Sequence, residues 1–129
     1  RFPEPDPRWD DDALDARWTN LHQIRDLALY ALEGMRKQKL IGSSQEAKIN
    51  VHVDTQTAES LDTQLLATIC GVSEVQIVVE AIAGSPVVTA EKSPHNKCER
   101  CWNYRSSVGQ SAEHPTLCDR CVSVISGLP

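Results

Sequence analysis

Aromatic side chains are scarce in this chain: six in 129 residues, with a single methionine. So few large apolar groups cannot fill one extensive core, and two or three small modules are expected instead. Also missing is any apolar run of the ~20 residues that a bilayer-spanning helix requires. The opening RFPEPDPRWD has no initiator methionine and no charged-then-apolar pattern of a secretory signal. These absences lead us to expect a piece of a soluble intracellular protein without membrane contact. Positive charge is absent from the middle of the chain, where no Lys or Arg occurs from Ile49 to Ala90 while Asp54, Glu59, Asp62, Glu74 and Glu80 accumulate. The formal net charge of −5 argues against a general DNA or membrane-surface binder, and a polyanion is repelled from this acidic middle.

The basic residues that are present gather in two places. One group is Arg36, Lys37, Lys39 and Lys48; the other is Lys92, Lys97, Arg100, Arg105 and Arg120. Contact with nucleic acid is expected only there, because phosphate neutralisation needs clustered cations. The candidate RNA-binding residues are Lys97, Arg100, Trp102, Arg105 and Arg120, with Arg36, Lys37 and Lys39 as a second set. Complementarity to a helix dipole accounts equally well for that second set. Trp102 also has two readings, as a lid packed over its neighbours or as a platform on which an unpaired base stacks.

The feature that organises the chain is KCERCWNYRSSVGQSAEHPTLCDRC, in which Cys98, Cys101, Cys118 and Cys121 form two Cys-x-x-Cys pairs separated by sixteen residues. A two-residue gap lets a tight turn present both sulfurs of a pair to one ion, and Zn²⁺ prefers four such ligands in a tetrahedron. Two disulfides are the competing reading, but nothing in the composition points to a secreted chain. Four thiolates leave no open coordination position, so one structural zinc is expected and hydrolytic chemistry is not. His114 is a weaker ligand candidate, since its spacing to the second pair is wrong. Val122, Val124 and Ile125 are expected to cover one side of the finger, and Gly109 to turn between its halves.

In chain order, Pro3, Pro5 and Pro7 keep the first residues extended. Asp10, Asp11 and Asp12 then offer an N-cap, and Leu14, Trp18, Leu21, Ala28, Leu32 and Met35 recur at helical spacing. The pattern predicts a long amphipathic helix that stops at Gly42 and finds apolar cover in upstream helices or its own N-terminus. Ala47, Ile49, Val51 and Val53 alternate with polar residues as a half-buried strand. Leu61, Leu65 and Ile69 mark a short helix ending at Gly71, Val75 to Val79 a second strand, and Pro86 to Lys92 a third after a turn at Gly84-Ser85. Cys70 reads as a buried apolar residue. The expected fold is α+β: a long helix from a helical bundle (1–46), a small acidic α+β module (47–92) and a four-cysteine, zinc-ribbon-like finger (93–129).

The runs LHQIRDLALYALEGMRKQKLIG, IGSSQEAKINV, KCERCWNYRSSVG and HPTLCDRCV together resemble the C-terminal region of bacterial or organellar isoleucyl-tRNA synthetases, over almost the whole chain. The resemblance implies the tail that follows the anticodon-binding helical bundle, with zinc on Cys98, Cys101, Cys118 and Cys121. It implies a parent enzyme, monomeric and located in the cytoplasm or an organellar matrix or stroma, that activates isoleucine with ATP and transfers it to its tRNA. ATP would bind only in a catalytic domain whose His-Ile-Gly-His-like and Lys-Met-Ser-Lys-Ser-like signatures do not occur here. Gln45 departs from the family, many members having Leu at that place, which weakens a local packing contact. No catalytic residue is expected in this chain. Two other readings stand beside this one: the finger of a formamidopyrimidine-type DNA glycosylase, and a structural zinc module for protein contacts. The first lacks the Arg expected before the second Cys pair, where the chain reads AEHPTLC.

Overall fold

The computed structural model describes residues 1–82 and 84–129. Helix α1 (Asp12–Lys37) starts where the Asp11 carboxylate accepts the Leu14 amide at 3.0 Å, with Asp12 and Asp15 in its first turn. Both acids favour the positive end of the helix dipole. Leu21, Ile24, Ala28 and Leu32 are its buried stripe, spaced three, four and four residues. Trp18 and Met35 pack at the edge of that stripe, while Leu14 stays exposed.

The helix stops earlier than Gly42. Lys39 takes a left-handed φ of 58°, its amide bonds to the Arg36 carbonyl, and the Leu40 amide reaches the Met35 carbonyl at 3.0 Å. This pair of bonds closes a Schellman cap, a role usually taken by glycine. A Cβ-bearing residue fills it here, and the reversal carries Ile41 into the core, where it is buried.

Strand β1 (Ala47–Val53) lies between β2 (Glu74–Val79), parallel to it, and β3 (Val87–Lys92), antiparallel. Ala47, Ile49, Val51 and Val53 all point inward and are buried. The parallel β1–β2 pair needs a crossover, supplied by α2 (Thr55–Glu59) and α3 (Thr63–Cys70). Asp54 and Asp62 cap these two helices through their carboxylates. Gly71 ends α3 at a φ of 67°, in agreement with its expected place.

One apolar core joins α1, β1, α3 and β2: Leu21, Ile24, Ala28 and Leu32 meet Ile49, Val51, Val53, Leu66 and Val75. The sheet and α3 of this chain thus cover the buried stripe of the long helix. A polar bond adds to it, since Arg25 Nε donates to the Ile69 carbonyl near the end of α3 at 3.1 Å. Cys70 is buried as expected, and burial pushes its thiol up to about 11.

The opposite face of the sheet is ionic. Lys48 lies between Glu74 and Glu91, His52 Nδ1 is 3.0 Å from Glu80, and His95 Nε2 is 3.4 Å from Glu74. The segment that leads into the finger thus crosses a charged surface.

Candidate metal centre and basic surface

The finger begins with the ribbon of β4 (Asn96–Lys97) and β5 (Tyr104–Arg105), antiparallel, and ends with α4 (Asp119–Ser126). Between the ribbon strands the chain turns tightly: the Cys98 amide donates to the Asn103 carbonyl at 2.9 Å and the Trp102 amide to the Cys98 carbonyl at 2.8 Å. Closing this knuckle forces Trp102 to a φ of 67°, left-handed for a bulky aromatic residue. The second half is tied in by the Glu99 amide on the Thr116 carbonyl and by Ser107, whose hydroxyl donates to Asp119 Oδ1 at 2.9 Å and accepts the Asp119 amide.

These turns bring Cys98, Cys101, Cys118 and Cys121 together, one ligand atom from each, all within 4.8 Å of one another. Four sulfurs at ~2.3 Å from one ion define a tetrahedron with edges of ~3.8 Å. The Cys101 and Cys118 sulfurs are 3.8 Å apart. Cys98, Cys118 and Cys121 are fully buried, so an ion held there is shut off from water on most sides.

Burial and hydrogen bonding act in opposite senses on these thiols, leaving Cys101 and Cys118 raised and Cys98 lowered. Burial acts first on both Cys98 and Cys118, pushing the Cys118 thiol up to about 12. For Cys98 the burial effect is overcome by the backbone amides of Cys101, Cys118 and Arg100, which hold it down to about 6. The Cys118 amide donates to the Cys98 sulfur at 3.3 Å, and Arg100 Nη1 lies 3.6 Å from the Cys121 sulfur. Donors aimed at sulfur favour thiolate, the form that binds metal. Donor set and spacing fit one structural zinc. Its apolar cover comes from Val108 and Leu117, not from the expected Val122, Val124 and Ile125, and Val124 is exposed on α4. His114 is not among the grouped ligands.

The basic candidates are placed unevenly. Trp102 is 59% exposed and carries the Lys97 ammonium 4.7 Å from its ring centroid. Arg100 is turned towards the sulfur cluster. Arg105 and Arg120 line one wall of an open groove between the finger and α3. Arg36 is engaged by Glu33 and by the Ser44 hydroxyl, whereas Lys37 and Lys39 are exposed. Sequence reasoning missed Ser73, a buried hydroxyl that accepts the Tyr104 amide at 2.7 Å and donates to the Gln45 carbonyl. Only its place just after the α3 stop set it apart.

Residues 96–124 match the family model described as a zinc finger found in FPG and IleRS, which defines the class: a four-cysteine zinc finger of the kind those two groups share. The finger alone does not separate them, but the remainder of the chain does. It is 40% identical to an isoleucine–tRNA ligase of Symbiobacterium thermophilum over 98% of this chain and 15% of the relative. The ligase of Bordetella avium is 41% identical over 94% of this chain and 13% of its own length, and that of Gloeobacter violaceus 41% over 98% and 14%. Over nearly its whole length the chain matches the zinc-finger-bearing C-terminal region of isoleucyl-tRNA synthetases. It spans about 15% of the length of the relatives it matches.

Proposed function

We propose that this chain is the tRNA-positioning tail of an isoleucine–tRNA ligase, whose missing catalytic part joins isoleucine to its tRNA in two ATP-dependent steps. In this reading zinc sits on Cys98, Cys101, Cys118 and Cys121 and stiffens a platform that meets the anticodon arm. Residues 1–46 close the helical anticodon-binding part, 47–92 form a spacer module, and 93–129 form the finger. The parent acts as a monomer in the cytoplasm or in an organellar matrix or stroma.

Similarity over nearly the whole chain, rather than over the finger alone, carries this reading. The geometry supports it at one point in particular: the turn of the knuckle holds Trp102 exposed beside Lys97, an aromatic face and a cation side by side on the surface. Lys97, Arg100, Trp102, Arg105 and Arg120 supply the RNA contacts, with Lys37 and Lys39 and, if it leaves Glu33, Arg36 adding charge from the end of α1. A site of few cations binds weakly and loses affinity steeply with salt.

The test is titration of the zinc-loaded chain with a hairpin copying the isoleucine tRNA anticodon arm, at two salt concentrations. Salt-sensitive binding that falls when Arg100 and Arg105 are both replaced by Ala is the expected result. Tighter binding to a lesion-bearing DNA duplex than to the hairpin would overturn it.

A further inference from the structure

Away from the zinc knuckle, between α3 and the finger, lies an open groove of about 580 Å³. Its walls differ in character. The finger contributes Asn103, Arg105 and Arg120, while the α3 side contributes uncharged Gln64 and Thr68, with Gln45 at one end. Glu74 is the one carboxylate in the lining, and it is already engaged by Lys48 at 3.9 Å and His95 at 3.4 Å. The groove therefore keeps a net positive wall in an otherwise acidic module.

Two further observations point to a ligand. Arg105, a lining residue, has its Nε buried without a hydrogen-bond partner among the described residues, so this guanidinium is not fully engaged by the protein itself. The floor is also fixed in place: the Ser73 hydroxyl, itself in the lining, ties the Tyr104 amide of β5 to the Gln45 carbonyl. A rigid cleft within the ~300–1,000 Å³ range suits one small ligand unit. Guanidinium groups select a phosphate or a planar ring, and amide side chains select a base edge.

We propose that this groove accepts a single extruded nucleotide of the bound RNA, its phosphate on Arg105 and Arg120 and its base edge on Gln45, Gln64 and Asn103. No aromatic side chain lines the groove, so the base is read by its edge and not by stacking. The proposal rests on the RNA-binding reading above but concerns a different surface from Trp102.

The experiment fills the groove from the α3 side, where Thr68 is exposed and distant in sequence from every finger cation. Thr68→Trp and, as a smaller change, Gln64→Leu are each compared with the zinc-loaded parent chain. Zinc content and circular dichroism establish that each variant is folded. Binding of the anticodon-arm hairpin is expected to fall at least tenfold in Thr68→Trp, and one loop nucleotide protected from base-modifying reagents by the parent should become reactive. A hairpin made abasic at that nucleotide, which keeps the phosphate but lacks the base edge, should show a smaller difference between the parent and Thr68→Trp than the intact hairpin does. Unchanged affinity and protection in both variants, with binding still lost in Trp102→Ala, overturns the groove while leaving RNA binding in place. If the parent chain binds no hairpin even at low salt, the RNA reading fails and the groove proposal falls with it. Should Thr68→Trp not fold, a threefold or smaller effect of Gln64→Leu on affinity with intact protection overturns the groove on its own.

Discussion

The Tyr104 amide and the Ser73 hydroxyl lie 31 residues apart in sequence and 2.7 Å apart in space. Ser73 is buried, and the same oxygen donates to the Gln45 carbonyl, so one side chain joins β5 of the finger to the segments that lead into β1 and β2. Replacing Ser73 with Ala strands a buried donor and a buried acceptor, at a cost of about 1–3 kcal/mol. We expect Ser73→Ala to keep its zinc, to lose about that much stability in urea titration, and to exchange the Tyr104 amide proton faster. Unaltered exchange at Tyr104 would show that the finger is held by other contacts.

Removal of zinc should act on the finger alone. Its buried cluster consists of Cys98, Cys118 and Cys121 with Cys101, Val108 and Leu117 around them, whereas the α1–sheet core contains none of these residues. Apparent zinc-folding energies are on the order of 10 kcal/mol, far more than so small a cluster yields by burial. In strong chelator about one zinc per chain should be released. A thiol reagent should then find Cys98, Cys101, Cys118 and Cys121 reactive while Cys70 remains protected. Rapid reaction of all five thiols would mean that the two cores unfold together.

Lys39 offers a test in which stability and binding move in opposite directions. Its φ of 58° suits glycine better than any residue with a Cβ. Lys39→Gly should raise stability by about 0.5–1 kcal/mol. The same change removes an exposed cation, so hairpin affinity should drop slightly and its salt dependence should become shallower. A loss of stability would mean that the Lys39 side chain has a packing role that its exposure does not suggest.

Cys70 gives a dependence on alkaline pH. Its folded-state thiol is raised to about 11 from an ordinary value near 9 by burial, an effect that the charge of Arg25 only partly offsets. The folded state thus holds this proton more tightly than the unfolded chain does. Its contribution is fully present below pH 9 and is lost as pH rises towards 11. Cys70→Ala, although less stable at neutral pH because of the cavity it leaves, should lose less stability than the parent over that interval. Parallel curves would assign the alkaline loss to other groups.

Local patterns are legible in the sequence and distant junctions are not. The Cys-x-x-Cys pairs can be read because two-residue spacing already dictates the turn that gathers sulfur. Likewise β1 follows from the alternation of Ala47, Ile49, Val51 and Val53 with polar residues. Helix α1 is recognisable, but its end is not, because a lysine adopts the backbone conformation that sequence rules assign to Gly42. The five residues of α2 carry too little periodicity to declare themselves, and α4 overlaps the second Cys-x-x-Cys pair, whose reading as metal ligands hides the helix. Nothing in the sequence pairs Thr68 with Arg120 or Ser73 with Tyr104, since those neighbours arise only when the finger folds back on α3. Gln45, expected only to weaken packing, instead reaches Asn103 at 3.5 Å and lines the groove.

The Lys97 ammonium sits over one face of the Trp102 indole. A ring has two faces, and an occupied one is not free for stacking. Trp102 is therefore a one-sided surface, and any flat ligand must arrive from the side away from Lys97. The finger thereby acquires a direction, since its exposed indole offers the side away from Lys97 and not the other.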